Sequence, residues 1–306
     1  VTLNGVSDGT TTETRHYGYY VPAGLVLDDP AHPASAVFFL SGGGGSHESA
    51  QLIDELADTK LAAGADANRF VVIVLMPPSV AERSAGSWLH PQTDCGGAGG
   101  VVGAGSCDSS SAPSDEGYIA ASVKDAISRF NLDRGRLWIV GGSSGANMAR
   151  DALCDSSQLF RGGMTLGGGA NALYGKASGV CPAGNKRVFY LEVSGKNTQQ
   201  DPYKTINLPS GDHTILGLDD TRAWWSSYMG CDPAVHTTAG ISDVYDYSCP
   251  NQPLSSQFEA VAVTGGGHTW CFLDTDPDPH CNRAPNATGG WSTAAWAFGW
   301  FTSRQW

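Results

Sequence analysis

The chain has 306 residues, with 18 Lys and Arg against 30 Asp and Glu and a formal net charge of −12. That balance repels phosphate backbones and anionic bilayers, so it excludes nucleic acid and membrane surfaces as partners. No stretch approaches the roughly 18 consecutive apolar residues of a membrane span, and the length suits one large domain covering 1–306.

From about residue 36 onward, short apolar strands alternate with helix-length segments, the pattern of an α/β fold with a mostly parallel central sheet and helices on both faces. Thr14 to Val21 reads as an opening strand. Buried strands follow at Ala36 to Leu40, Phe70 to Met76 and Leu137 to Val140, whose continuous Val, Ile, Leu and Phe content suits parallel strands covered on both sides. Between the first two of these, Glu48 to Ala63 predicts a surface helix, with Leu52, Ile53, Leu56 and Leu61 at approximately helical spacing. Pro77 to Pro113 is rich in Gly, Ser and Pro and carries two cysteines; a connection that long reads either as an ordered loop over a site or as a disulfide-tied surface loop. Ser114 is the expected cap of a helix Asp115 to Phe130, which places Ile119, Val123 and Ile127 along one face. Further strands are predicted at Met164 to Leu166, Arg187 to Val193 and Phe258 to Val263, and a closing helix at Thr293 to Thr302.

Eight cysteines (Cys95, Cys107, Cys154, Cys181, Cys231, Cys249, Cys271 and Cys281) include no tight CxxC spacing of the structural-zinc kind, so disulfides are the better reading, paired neighbour with neighbour. Bridges persist in oxidising compartments, which predicts an extracellular or periplasmic protein, read here as secreted and extracellular. No charged leader with an apolar core precedes Val1, as expected of a mature form. Asn286-Ala287-Thr288 matches a glycosylation acceptor, a triplet too common to decide the host.

The most informative segment is Leu137-Trp138-Ile139-Val140-Gly141-Gly142-Ser143-Ser144-Gly145-Ala146-Asn147-Met148-Ala149. It holds G-x-S-x-G directly after an apolar strand and before a helix-compatible run, the context in which glycines permit a sharp strand-to-helix turn that exposes Ser143. The Ser144 backbone N–H then faces the oxyanion. A serine hydroxyl is a poor nucleophile at neutral pH and needs a base, itself oriented by a third group. Of eight histidines, His268 follows the last predicted strand in Gly265-Gly266-Gly267-His268, where the chain order Ser, acid, His requires the base. His16, His32, His47 and His90 precede the serine, while His236 and His280 read as lying in irregular, cysteine-flanked segments. A second oxyanion donor must come from the loop after an early strand; Leu40-Ser41-Gly42-Gly43-Gly44-Gly45 supplies it, with Gly43 as the candidate. A phosphate cradle is the rival reading of these glycines, but the required G-x-x-x-x-G-K pattern is absent. Trp88 and Trp270 offer apolar faces to an acyl group as pocket walls; core packing is the ordinary use of Trp.

Together these pieces resemble the secreted esterases of carbohydrate esterase family one, including feruloyl and acetylxylan esterases, and the related polyhydroxybutyrate depolymerases. The resemblance spans nearly the whole chain through Tyr20-Val21-Pro22-Ala23-Gly24, the glycine loop after Leu40, Asp115-Glu116-Gly117-Tyr118-Ile119, Ser143-Ser144-Gly145-Ala146-Asn147-Met148 and Gly265-Gly266-Gly267-His268-Thr269-Trp270. It implies the α/β-hydrolase fold and ester hydrolysis with no cofactor and no metal, on a substrate that is often a polymer. Two departures stand out. Ser41-Gly42 replaces the family's frequent His-Gly, and Ser194-Gly195-Lys196-Asn197-Thr198-Gln199-Gln200-Asp201 replaces its His-Gly-Thr-Ala-Asp acid segment. Asp201 is the candidate acid; Asn197, Asp212 and Asp220 are the alternatives, and an Asp before Pro202 also serves ordinary turns.

The expected activity is serine ester hydrolysis through an acyl-enzyme, on feruloyl or acetyl esters of plant cell-wall polysaccharide. A polyhydroxybutyrate-type polyester is the close alternative. A catalytically weak carbohydrate-binding protein on a hydrolase scaffold is the reading from another class. Oligomeric state cannot be read from the sequence.

Overall fold

The computed structural model describes residues 1–7, 12–42, 56, 60–77, 88, 115–167, 170–171, 189–195, 206–207, 214–250, 257–264 and 293–304. In chain order they form β1 (Thr2–Ser7), β2 (Thr12–Tyr20), β3 (Ala34–Leu40), α1 (Leu61–Asn68), β4 (Phe70–Leu75), α2 (Glu116–Phe130), β5 (Leu132–Gly142), α3 (Ser144–Asp155), β6 (Gly162–Leu166), β7 (Ala170–Asn171), β8 (Phe189–Gly195), β9 (Ile206–Asn207), β10 (Thr214–Leu216), α4 (Leu218–Met229), β11 (Val235–Ala239), β12 (Ser242–Ser248), β13 (Gln257–Val263) and α5 (Thr293–Thr302).

One sheet runs in the order β1-β2-β4-β3-β5-β6-β8-β13-β12-β11. Its middle, from β4 across to β13, is parallel throughout. Antiparallel pairs flank it, with β2 and β1 on one side and β12 and β11 on the other. A small separate sheet joins β7, β10 and β9.

Every residue of β3 is buried. Its side chains alternate between two apolar clusters: Ala36, Phe38 and Leu40 pack with Ile119 and Val123 of α2, Met148 and Leu153 of α3 and Trp225 of α4, while Val37 and Phe39 pack with Leu61 of α1 and Phe298 and Phe301 of α5. A two-residue period dividing a wholly apolar strand between two helical layers is what a parallel strand covered on both faces requires. Each such Leu, Val or Phe contributes roughly 1.5–3 kcal/mol of transfer free energy.

The predicted strands coincide in place with β2, β3, β4, β5, β6, β8 and β13, and the closing helix with α5. Other expectations are corrected. Residues 48–55 and 57–59 of the predicted Glu48–Ala63 helix lie outside the described residues; α1 starts at Leu61, entered through Lys60 in the left-handed conformation (φ 57°), so no continuous helix runs through that point. Ser114 also lies outside them. Asp115 holds the capping position of α2, but its carboxylate makes no cap hydrogen bond and instead meets Arg15 of β2 at 2.6 Å. His236 is not in an irregular segment: it stands on β11, paired opposite Tyr245 of β12. β11 has four exposed residues of five and lacks the apolar run that marks a buried strand.

Cys231 and Cys249, neighbours in the cysteine order, are joined by a disulfide that ties the end of α4 to the end of β12. No helix among the described residues is long and apolar enough to cross a membrane.

Candidate active site

β5 lies at the middle of the parallel strands, between β3 and β6, and Ser143 stands between its last residue and the first of α3. The Ser143 backbone has φ 55° and ψ −124°, a conformation L-residues adopt only when the surroundings enforce it. Here the surroundings do. The Ser143 N–H donates to the Leu166 carbonyl at the end of β6 at 3.0 Å, and its own carbonyl accepts from the Ala146 N–H at 2.9 Å. The two glycines of the motif are required by close approach: a Cβ on Gly141 would lie 2.1 Å from the Gly145 carbonyl oxygen, and one on Gly145 would lie 2.2 Å from that of Leu40 and 2.4 Å from that of Ser41. Ser143 thus turns sharply out of the sheet and remains partly accessible.

Ser144 opens α3, so its N–H has no intrahelical carbonyl to bond and lies at the positive end of the helix dipole. Its hydroxyl is buried and without a hydrogen-bond partner among the described residues.

The glycine loop after β3 begins against Ser143. A Cβ on Gly42 would sit 3.3 Å from the Ser143 Cβ and 3.9 Å from its Oγ. Ser41 is 2% exposed, and its N–H donates to the Leu75 carbonyl at the end of β4 at 3.1 Å.

Trp88, offered by the sequence as a pocket wall, is fully buried, and its indole N–H donates to the Ser41 carbonyl at 2.8 Å. Its ring stacks on Tyr118 of α2 with centroids 6.2 Å apart. The Tyr118 hydroxyl donates to the His16 carbonyl at 2.5 Å, and burial pushes its pKa well above the ordinary phenol value. The Arg15 guanidinium carbon lies 3.9 Å from the Tyr118 ring centroid, and Arg15 donates to Asp115 at 2.6 Å and to the Met76 carbonyl at 3.1 Å. Burial works against the Arg15 charge, yet Asp115, Tyr118 and Glu13 together outweigh it and hold the guanidinium's pKa above its usual value. Sequence reasoning missed this buried ion pair; the Arg in an otherwise half-apolar strand was its one signal.

His268, Asp201, Gly43 and Trp270 lie outside the described residues, as do Asn197 and Asp212. Asp220 is exposed in the first turn of α4, beside Asp219, whose carboxylate binds Arg222 at 2.7 Å. The strands that lead to the candidate base and acid are described. β8 and β13 are adjacent and parallel, with Gly195 paired to Val263 at their ends. Both therefore leave the sheet at the same carboxyl edge as β5, the edge at which open α/β sheets hold their ligands. Among the described residues no group of three His, Cys, Asp or Glu side chains could hold a metal ion.

No family model and no curated protein matches the sequence. Solved structures do match it in fold. An acetyl xylan esterase from Aspergillus awamori superposes with a TM-score of 0.55 at 16% identity, covering 88% of this chain and 93% of the other. An S-formylglutathione hydrolase from Agrobacterium tumefaciens gives 0.52 at 12% identity over 99% and 94% of the two chains, and one from Staphylococcus aureus gives 0.50 at 13% over 99% and 95%. The chain has the α/β-hydrolase fold.

Proposed function

We propose that this chain is a secreted serine carboxylic ester hydrolase acting through an acyl-enzyme on acetyl or feruloyl esters of plant cell-wall polysaccharide. The observation that carries the reading is the strained Ser143 turn at the carboxyl edge of the central strands, with the Gly42 backbone packed beside it. Such strain is retained where a side chain must be presented for chemistry. The acetyl xylan esterase of the same fold supports the substrate class, with the acetyl ester first.

In this mechanism Ser143 Oγ attacks the ester carbonyl as His268 takes its proton, and Asp201 holds the imidazole and balances its charge. The N–H groups of Ser144 and Gly43 receive the tetrahedral oxyanion. His268 then protonates the departing sugar oxygen, which leaves as a hydroxyl, and water repeats the sequence on the acyl-serine. Chain reach is compatible with these roles. β13 and β5 are three strand spacings apart, about 14 Å at roughly 4.8 Å each, and the five residues from Val263 to His268 span up to about 17 Å when extended.

The test is a fluorophosphonate label followed by a side-by-side assay on acetylated xylan, methyl ferulate and polyhydroxybutyrate. Labelling of Ser143 with turnover of acetylated xylan supports the reading. Turnover of polyhydroxybutyrate alone moves the enzyme to polyesters, and an unlabelled protein that binds xylan is the binding protein on a hydrolase scaffold.

A further inference from the structure

We infer that Trp88 is a positioning residue for the oxyanion loop, which it anchors through the Ser41 carbonyl. The inference rests on the esterase reading for its catalytic consequence, but the anchoring itself does not.

The Ser41–Gly42 peptide is a planar trans unit, so its C=O and N–H point in opposite directions and fixing one fixes the other. The Ser41 carbonyl is fixed by the Trp88 indole N–H at 2.8 Å, and Gly145 packs against the same oxygen so closely that no Cβ fits between them. The preceding N–H is held by Leu75. Ser41 is therefore gripped on both sides, and the Gly42 backbone, 3.3 Å by its ideal Cβ from the Ser143 Cβ, takes its direction from that grip. Gly43, the candidate donor, is the next residue in the chain.

Trp88 can impose an orientation because it is itself immobilised. Its ring lies on Tyr118, whose hydroxyl is tied to His16, and Arg15 links Tyr118, Asp115 and the Met76 carbonyl into one buried frame spanning β2, α2 and the end of β4. Removing the indole N–H leaves the buried Ser41 carbonyl without this partner, and a shift of the loop is the cheapest way for it to find another. Misplacement by about 1 Å beside a reacting centre costs up to about a hundredfold in rate.

The experiment is Trp88→Phe, which keeps an aromatic ring and deletes only the N–H and part of the area. As a control for stability alone, Phe298→Leu on the opposite face of the sheet perturbs packing without touching the loop. With 4-nitrophenyl acetate, Trp88→Phe is expected to lower kcat about ten- to hundredfold with KM within about twofold, and to weaken a boronic acid transition-state analogue by a similar factor. Phe298→Leu should lower the melting temperature and leave kcat unchanged. Hydrogen exchange of the peptide spanning Val37 to Gly42 should accelerate in Trp88→Phe, whether or not the protein hydrolyses esters. Unchanged exchange overturns the anchoring, and unchanged kcat in an active enzyme overturns the positioning role. Faster exchange in a protein that turns over no ester leaves the anchoring standing and removes the esterase reading instead.

Discussion

The middle of the sheet and its β12–β11 flank are built on different principles. In the middle, β3 and β4 are buried along their whole length and held by apolar contact on both faces. The flank relies on specific links instead. Cys231 and Cys249 are bonded; Arg222 joins Asp219 to the Tyr247 hydroxyl, Tyr247 stacks on Phe258, and Tyr245 lies between the His236 ring and the Arg222 guanidinium in a chain of close contacts. Bulk burial tolerates change in any one residue but needs many; discrete links are few, and each is individually vulnerable. The site stands on the first kind of support, reinforced by the discrete links of the buried frame formed by Trp88, Tyr118, Arg15 and Asp115.

The largest expected effect breaks chemistry without breaking either region. Ser143→Ala should lose turnover by about 10⁶-fold while circular dichroism and melting temperature stay near the parent's. Near-native hydrolysis by that variant would remove the nucleophile assignment.

Asp115→Asn tests the buried frame in the middle. Arg15 and Asp115 have side chains 1% and 0% exposed, and Arg15 would keep Glu13 at 2.8 Å as its remaining carboxylate, so losing the Asp115 charge should cost about 1.5–3 kcal/mol in chemical denaturation. Replacing both partners with apolar residues of similar size should recover most of that loss.

In the flank, Cys231→Ser with Cys249→Ser opens a loop of sequence separation 18 and should cost about 3 kcal/mol, read as a lower urea midpoint with kcat unchanged. An equal loss of activity and stability would show that the flank and the site are coupled.

The smallest effect concerns Glu259 on β13, whose carboxylate accepts from the Trp296 indole at 2.8 Å. Burial raises its pKa, against the opposing pull of Trp296 and Arg304, with Asp246 on the neighbouring strand acting in the same direction as burial. The native state therefore binds this proton more tightly than the unfolded chain does. Its contribution to stability is full below the ordinary carboxyl range and fades as pH rises through the raised native value. Glu259→Gln should be more stable than the parent near neutral pH, and the difference should vanish in acid; a melting curve series across pH reads both.

The same contrast explains what the sequence reveals. Val37-Phe38-Phe39 and Val71-Val72-Ile73-Val74 announce buried parallel strands because nothing else needs such runs. Val235-His236-Thr237-Thr238-Ala239 does not, since an exposed outer strand needs only backbone pairing, and β propensity there is weak and contextual. Ser143 was legible because its glycines are a local steric requirement written into five consecutive residues. The roles of Trp88 and Arg15 were not legible, because they depend on partners 47 and 100 positions away that only the fold brings together.

The contact between Gly145 and the carbonyls of Leu40 and Ser41 has a practical side for anyone wishing to redesign this protein. The Ser143 turn and the glycine loop come from segments about a hundred residues apart, yet they touch backbone to backbone, with no side chain between them to absorb a change. They form a single mechanical part. Grafting the serine turn onto another scaffold, or lengthening the glycine loop to admit a bulkier acyl group, would require moving both pieces together with the indole that braces them.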